Sequence, residues 1–221
     1  MPKPRSDAPR ALVAKLGGSL WAAPDLAGWI AALRRWPHAL TLVPGGGPFA
    51  DAVRVAQPQM GFSDSAAHKM ALLAMEQYAL ALADLFEDLT LVESPQDASR
   101  AHAARRIALW RPCAMVADAP DVAARWETTS DSLAAWYARR AGASTLLLIK
   151  SVDVDARADL ESCASSLALR GVIDADFAHF SQGLDIRIAG PRALCSAPSL
   201  FAQDAVPGAA LTAYSEGLCA S

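Results

Sequence analysis

The sequence predicts an α/β fold, a three-layer αβα sandwich in which helices cover both faces of a mainly parallel sheet. Short apolar runs alternate with segments of helical periodicity along the whole chain. Of the 221 residues, 53% are hydrophobic and 19% are charged, which is sufficient for a large core and excludes a disordered chain. No repeat or low-complexity linker divides the sequence, so we expect a single domain over 1–221 in which 1–9 form a flexible tail.

Each element of the first half follows from a local pattern. The apolar run at 11–16 ends in two glycines, and Asp25 is expected to cap the helix that follows it. Pro48 suits the first turn of a helix that follows the second strand. The longest helix carries His68, Leu72, Met75, Ala79 and Leu82 on one face. The predicted elements are a strand at Ala11–Leu16, a helix at Asp25–Trp36, a strand at Ala39–Val43, a helix at Pro48–Val55 and a helix from Ser63 or Asp64 to Phe86.

The second half continues the alternation. Three short apolar runs follow the long helix, and Gly142 is expected to close a later helix in a left-handed conformation. Lys150 lies directly after a buried strand. The predicted elements are strands at Leu89–Val92, Ile107–Trp110 and Ala114–Val116, a helix at Asp131–Ala141, a strand at Ser144–Ile149, a helix at Asp174–Phe180, a strand at Leu184–Ala189 and a helix after Pro191.

Charge and hydropathy exclude several classes of function. The net charge of -3 and the isoelectric point near 5.8 provide no basic surface for general nucleic-acid binding. No apolar run reaches the roughly 18 residues of a membrane span, and Lys15 interrupts the first run too early for a signal peptide. The four cysteines form no CxxC pair, which disfavours a zinc site. We expect a cytoplasmic protein that binds neither nucleic acid nor membranes.

Three candidate sites follow predicted strands, where ligands bind in open α/β sheets. In Lys15–Ser19, two glycines allow an anion to approach the backbone and a lysine adds charge, although a tight turn with a solvated lysine remains the alternative. In Val43–Ala50, three consecutive glycines cost conformational entropy without a packing benefit, which indicates a ligand against the backbone. The helix that follows them would direct its N-terminus at an anion. This segment formally matches a dinucleotide fingerprint, but the expected acidic residue after a next strand is missing because Asp64 opens a helix.

The third site combines Trp126–Asp131 with Lys150. An aspartate at a helix start is commonly only a cap, so Asp131 alone carries little information. The sequence contains no P-loop, no GxSxG elbow and no HExxH helix. His68 lies on an apolar helix face, where a core role is common, but the polar first turns around it favour a role in binding a phosphate or hydroxyl. We expect an imidazolium there, which suits a phosphate dianion, and Arg54 is the only arginine near these segments.

Taken in order, these segments resemble the amino acid kinase superfamily. The matching stretches are Lys15-Leu-Gly-Gly-Ser19, Pro44-Gly-Gly-Gly47, Thr129-Ser-Asp131 with Leu133-Ala-Ala135, and Lys150-Ser-Val-Asp153. The resemblance implies an αβα sandwich that binds the acceptor on about 11–125 and ATP with Mg²⁺ on about 126–221. It assigns catalysis to Lys15, Asp131 and Lys150, with Asp131 positioning the lysine, and assigns no residue to metal. By the same resemblance, nucleotide would be bound by Gly17, Gly18, Ser19, Ser130 and Asp153, and acceptor by Gly45, Gly46, Gly47, His68 and Thr129.

Within the superfamily, Trp126-x-x-Thr129-Ser-Asp-Ser-Leu133 and Ser65-x-x-His68-Lys-x-Ala71 are similar to the kinase of methanofuran biosynthesis. That resemblance implies phosphorylation of aminomethylfuran-methyl phosphate in one-carbon metabolism of methylotrophs, by a homodimer or higher homo-oligomer. The chain departs from the family where Leu169–Phe177 replaces a lysine-bearing segment, in Pro207–Thr212 and at Val154. The alternatives are another small-molecule kinase of the superfamily, or a ligand-binding or storage protein on the same fold.

Overall fold

A computed structural model describes residues 10–153, 167 and 171–211. The predicted α/β class is confirmed, with helices on both faces of a seven-stranded sheet. The expected tail at 1–9 lies outside the described residues. The strands are β1 (Leu12–Leu16), β2 (Leu40–Pro44), β3 (Leu89–Val92), β4 (Ile107–Trp110), β5 (Thr145–Ile149), β6 (Asp185–Ala189) and β7 (Ala209–Leu211). The helices are α1 (Leu26–Leu33), α2 (Gly47–Met60), α3 (Asp64–Leu85), α4 (Pro95–Ala103), α5 (Cys113–Val116), α6 (Ser130–Arg140), α7 (Phe177–Phe180), α8 (Pro191–Leu194) and α9 (Ala197–Ala202).

The sheet has the strand order β3-β4-β2-β1-β5-β6-β7, and only β7 is antiparallel to its neighbour. β1 lies at the centre, with Leu16 in register with Pro44 of β2 and with Ile149 of β5. The chain passes from β1 to one side of the sheet and later returns to the other side. The carboxyl ends of β1, β2 and β5 therefore meet at a topological switch point, where open α/β sheets bind ligands.

Alternating side chains of β1 contribute to the two faces of the sheet. Leu12, Ala14 and Leu16 pack in the apolar cluster that contains α1 and α9, whereas Val13 packs in the cluster that contains α6. Lys15 has the same parity as Val13 and therefore points toward α6. The long helix α3 contributes side chains to both clusters.

Several predicted boundaries are wrong. The expected strand at Ala114–Val116 is the short helix α5, because an apolar run of this length does not distinguish strand from helix. Helix α4 was not predicted, although Pro95 occupies its first turn and the Ser94 hydroxyl accepts a hydrogen bond from the Asp97 N–H at 3.2 Å. Strand β7 was not predicted either. Other differences are an α1 that ends at Leu33 without a side-chain cap from Asp25, an α2 that extends to Met60, and an α7 that begins only at Phe177.

Among the described residues, no helix is both long and apolar enough to cross a lipid bilayer.

Candidate active site

Two glycine loops meet at the carboxyl ends of β1 and β2. The N–H of Gly45 donates to the Leu16 carbonyl at 2.9 Å, and the N–H of Gly17 donates to the Ile149 carbonyl at 2.8 Å. These bonds hold both loops against the edge of the sheet. Free backbone N–H groups in such loops are suitable donors to an anion.

Close packing accounts for most of these glycines. A Cβ atom on Gly45 would lie 2.5 Å from the backbone nitrogen of Gly18, and one on Gly46 would lie 2.3 Å from the Cβ of Ala50. Our premise that the three glycines bring no packing benefit is therefore wrong. Contact between the loops requires glycine at Gly45 whether or not a ligand binds, and their role toward substrate stays a prediction.

The central feature of the site is one carboxylate between two ammonium groups. Lys15 Nζ lies 2.8 Å from Oδ1 of Asp131, and Lys150 Nζ lies 2.6 Å from Oδ2. Their side chains are 6%, 12% and 5% exposed for Lys15, Lys150 and Asp131, respectively, so the interaction is almost fully shielded from water. The strand ends of β1 and β5 supply the lysines, and the first turn of α6 supplies the aspartate.

The electrostatics of this trio follow from burial and charge. Burial alone would raise the pKa of Asp131, but the adjacent charges of Lys15 and Lys150 outweigh it and lower the pKa to about 2. Burial lowers the pKa of Lys150, and repulsion from Lys15 lowers it further, although Asp131 opposes both effects. Two ammonium groups share one carboxylate, which leaves the centre ready to accept an anion.

A second, partly buried carboxylate, which sequence reasoning missed, supports the first turn of α6. Asp174 accepts hydrogen bonds from the N–H and hydroxyl of Thr129 at 3.0 and 2.7 Å, and from the N–H of Ser132 at 2.9 Å and its hydroxyl. Burial raises the pKa of Asp174, and the charge of Asp131 raises it further. No local pattern could have revealed this contact, because more than 40 residues separate the partners.

A small pocket adjoins the glycine loop between α2, α3 and the segment before α6. His68 lines it, and the Nε2 atom of this buried histidine has no hydrogen-bond partner among the described residues. The pocket has a volume of about 50 Å³. It is lined by Gly46, Ala50, Arg54, His68, Ala71, Leu72, Met75, Arg125, Trp126, Thr128, Thr129, Ser130 and Leu133.

Charge in the pocket differs in two ways from the sequence-based expectation. Burial lowers the pKa of His68, and the charge of Lys69 lowers it further, so the free protein holds a neutral imidazole at pH 7 rather than the expected imidazolium. Arg125 joins Arg54 in lining the pocket, whereas the sequence indicated only Arg54 as a nearby arginine. The guanidinium of Arg54 lies 5.1 Å from the ring centroid of Trp126.

The other predicted nucleotide residues lie around the same edge of the sheet. Ser19 is exposed in a 3₁₀ turn after β1, and Ser130 lines the pocket at the start of α6. Asp153 instead binds the start of α8, where its carboxylate accepts from the N–H of Arg192 at 2.9 Å and pairs with the guanidinium at 2.9 Å. A direct contact between Asp153 and nucleotide would therefore compete with this ion pair.

The donor set fits the phosphates of a nucleotide better than a metal held by the protein. Buried ammonium groups and backbone N–H groups bind phosphate oxygens. Both carboxylates at the centre, Asp131 and Asp174, are already occupied, and the described residues contain no cluster of three metal-ligating side chains. A Mg²⁺ ion would therefore be held through nucleotide phosphates, where it would neutralise their charge.

Comparison with known proteins agrees with the arrangement. The model of the amino acid kinase family matches residues 10–162. The fold is similar to uridylate kinase from Archaeoglobus fulgidus, at 16% identity and a TM-score of 0.64 over 91% of this chain and 100% of that one. It is also similar to UMP kinase from Bacillus anthracis, at 13% identity and a TM-score of 0.64 over 93% and 96% of the two chains. UMP kinase from Ureaplasma parvum matches at 16% identity and a TM-score of 0.61 over 83% and 90%. No curated protein matches the chain.

Proposed function

Because the chain belongs to the amino acid kinase family, we propose that it transfers the terminal phosphoryl group of ATP to a small phosphomonoester. The observation that carries this proposal is the buried pair of lysines that share Asp131. Phosphoryl transfer requires positioning and neutralisation of charge more than covalent chemistry, and this centre provides both.

In this proposal, Lys15 binds the γ-phosphoryl oxygens as negative charge shifts toward the leaving group. The N–H groups of Gly17 and Gly18 lie beside the same γ-phosphoryl position, although the Gly17 N–H already donates to the Ile149 carbonyl. Lys150 approaches from β5 and neutralises charge on the nucleotide side. Asp131 keeps the two ammonium groups apart and oriented. A new P–O bond forms to the acceptor phosphate oxygen as the bond between the β–γ bridging oxygen and the γ-phosphorus breaks, and ADP leaves.

The acceptor is assigned to the pocket beside His68. A neutral imidazole N–H, the backbone at Gly46 and the guanidinium groups of Arg54 and Arg125 are all donors suited to a phosphate dianion. The pocket is far smaller than the roughly 300–1,000 Å³ typical of ligand sites, which favours a compact acceptor whose ring lies toward the mouth. Leu72 and Met75 offer an apolar wall for such a ring.

We assign the acceptor to about 11–125, to which the segment before α6 and the first turn of α6 add one wall of the pocket, and the nucleotide to about 126–221. Aminomethylfuran-methyl phosphate is the first candidate acceptor. The test is a panel of acceptors at fixed ATP and Mg²⁺, with ADP release and the phosphorylated product measured together. The panel compares this compound with UMP, isopentenyl phosphate, acetylglutamate and aspartate. Transfer to a phosphomonoester supports the proposal. Transfer only to a carboxylate, or tight ligand binding without transfer to any acceptor, would refute it.

A further inference from the structure

The segment from Asp174 to Asp176 reaches both parts of the site. As described above, Asp174 accepts four hydrogen bonds from Thr129 and Ser132, the residues that flank Ser130 and Asp131 at the start of α6. Two residues later, Asp176 binds Arg125 at 3.0 and 2.6 Å and accepts from the hydroxyl of Thr128. Arg125 and Thr128 are walls of the pocket.

We propose that Asp174 is a positioning residue for phosphoryl transfer, which fixes the first turn of α6 so that Asp131 meets both lysines. This inference rests on the proposed function. Asp174 touches neither lysine by hydrogen bond among the described residues, and it acts through the backbone and hydroxyls of Thr129 and Ser132. Those two residues bracket Asp131, so a shift of either moves the carboxylate.

The electrostatic cost of placing Asp174 at the N-terminus of α6 indicates a role beyond capping that helix. A helix N-terminus is usually satisfied by the hydroxyl of its own N-cap residue, and Thr129 occupies that position in α6 without making such a bond. The chain instead places a carboxylate from a distant segment there, partly buried and within range of the charge of Asp131. A second, partly buried carboxylate next to the buried Asp131 is unfavourable, which a local hydroxyl cap would have avoided.

The same placement predicts an electrostatic signature at Lys150. The charged groups that act on Lys150 come from three elements: Lys15 on β1, Asp131 on α6 and Asp174 before α7. The charge of Asp174 favours the protonated amine. Replacing this carboxylate by a neutral amide should therefore let Lys150 lose its proton at a lower pH, in addition to loosening Asp131.

Asp176 provides a matched comparison two residues away. Its bonds reach the pocket wall at Arg125 and Thr128 but not α6. Asp176→Asn should raise KM for the phosphomonoester severalfold and change kcat by less than about threefold. Asp174→Asn should lower kcat by about tenfold or more and leave the KM for ATP and the KM for the phosphomonoester within about threefold of their wild-type values. Asp185→Asn is the control outside the site, because Asp185 is exposed at the start of β6, and this variant should change neither kcat nor KM.

The experiment joins these kinetics to a titration of the side-chain amines in uniformly ¹⁵N-labelled protein. Only Lys3, Lys15, Lys69 and Lys150 contribute lysine signals, so the spectrum can be assigned by single substitutions. In Asp174→Asn the transition of Lys150 should move to lower pH by about half a unit or more, while Lys69 stays in place as internal reference. The conservative Asp174→Glu variant should keep the Lys150 transition near that of the wild type.

The outcomes separate the two hypotheses. If the wild type transfers phosphate to no acceptor, the proposed function fails, but the titration still tests the link from Asp174 to the lysines. If Asp174→Asn melts at lower temperature with unchanged kcat and an unchanged Lys150 titration, Asp174 is only a helix cap and the inference is overturned. If Asp174→Asn does not fold, Asp174→Ser, which is neutral but can still accept a hydrogen bond as a helix cap, decides by the same two measurements.

Discussion

The ammonium group of Lys15 lies 2.8 Å from Asp131 across the interface between the central strand and α6. Strand β1 fixes the lysine on the face that α6 covers, and the first turn of α6 fixes the aspartate. A salt bridge buried to this degree is a poor device for stability, because desolvation offsets most of the Coulombic gain. Its position at the switch point of the sheet supports the catalytic role that we propose for this pair.

Lys15→Ala should lower kcat by 100-fold or more, which corresponds to about 3 kcal/mol of transition-state stabilisation. Lys15→Arg should not restore activity, because a planar guanidinium cannot replace a compact ammonium in a loop packed as tightly as Gly17–Gly18. Steady-state kinetics with the preferred acceptor measure both effects. Lys69→Ala, on the exposed face of α3, is the matched control and should retain wild-type turnover.

Asp131→Asn should move the alkaline limb of the pH–kcat profile to lower pH. Burial and repulsion from Lys15 both lower the pKa of Lys150, and attraction to Asp131 opposes them. Without the carboxylate this attraction is lost, so the pKa of Lys150 falls further. Turnover at pH 7 should drop by about 100-fold. An Asn variant with an unchanged profile and full turnover would reduce Asp131 to a structural residue.

Acid should destabilise the wild type through Asp131. The folded-state pKa is about 2, below the unfolded value of 3.8, so the folded protein binds fewer protons between these values. The stabilisation is therefore complete above about pH 4 and is lost as the pH falls through about 2; its size is on the order of 2 kcal/mol. Urea unfolding between pH 7 and pH 2 should show this loss in the wild type. If the free energy of unfolding falls equally with pH in the wild type and in Asp131→Asn, Asp131 is not the source of the acid sensitivity.

Binding of a phosphomonoester should be accompanied by proton uptake at His68. The pKa of His68 in the free protein is lowered by burial and by Lys69, and a bound dianion would raise it again. Calorimetry at pH 7 in buffers of different ionisation enthalpy measures this uptake. His68→Gln should reduce the uptake and weaken acceptor binding by about tenfold while ATP binding changes little. Equal proton uptake in both proteins would exclude His68 from the acceptor site.

Gly45→Ala should destabilise the fold strongly, by about 2 kcal/mol or more, because its Cβ would lie 2.5 Å from backbone of the neighbouring loop. Gly28→Ala is the control, since its Cβ would meet only the flexible end of Leu194 at 3.0 Å. Thermal unfolding of both variants tests the comparison. A Gly45→Ala protein as stable as Gly28→Ala would show that the glycine loops do not pack as described.

The sequence predicted the parts of this molecule that depend on local pattern. Hydrophobic periodicity and the glycines and prolines at the ends of elements are local signals. They identified the buried strands, the long helix α3 and the lysines at strand ends. The short helix α5 was misread, since four apolar residues carry no period. Helix α4 was missed although Ser94 and Pro95 mark its start.

The parts that failed depend on long-range contacts. Asp174 reaches the site only because the fold brings a distant segment to the start of α6. Arg125 directly precedes the Trp126–Asp131 segment but lies in no recognisable motif, and only the folded structure shows that it lines the pocket. The protonation of His68 was mispredicted for the same reason, because burial and not sequence sets its pKa. The glycines at 45–47 were singled out as a ligand-binding loop, but packing against Gly18 explains Gly45 without reference to a ligand.

The most direct test of phosphoryl transfer at the Lys15–Asp131–Lys150 centre is a single-turnover ³¹P NMR measurement with aminomethylfuran-methyl phosphate, ATP and Mg²⁺. In the wild type, we predict that ATP and acceptor signals decay together as ADP and a diphosphate product appear in equal amounts. In Lys15→Ala, the same signals should persist at least 100 times longer although ATP still binds. Diphosphate formation at an equal rate in both proteins would contradict the account.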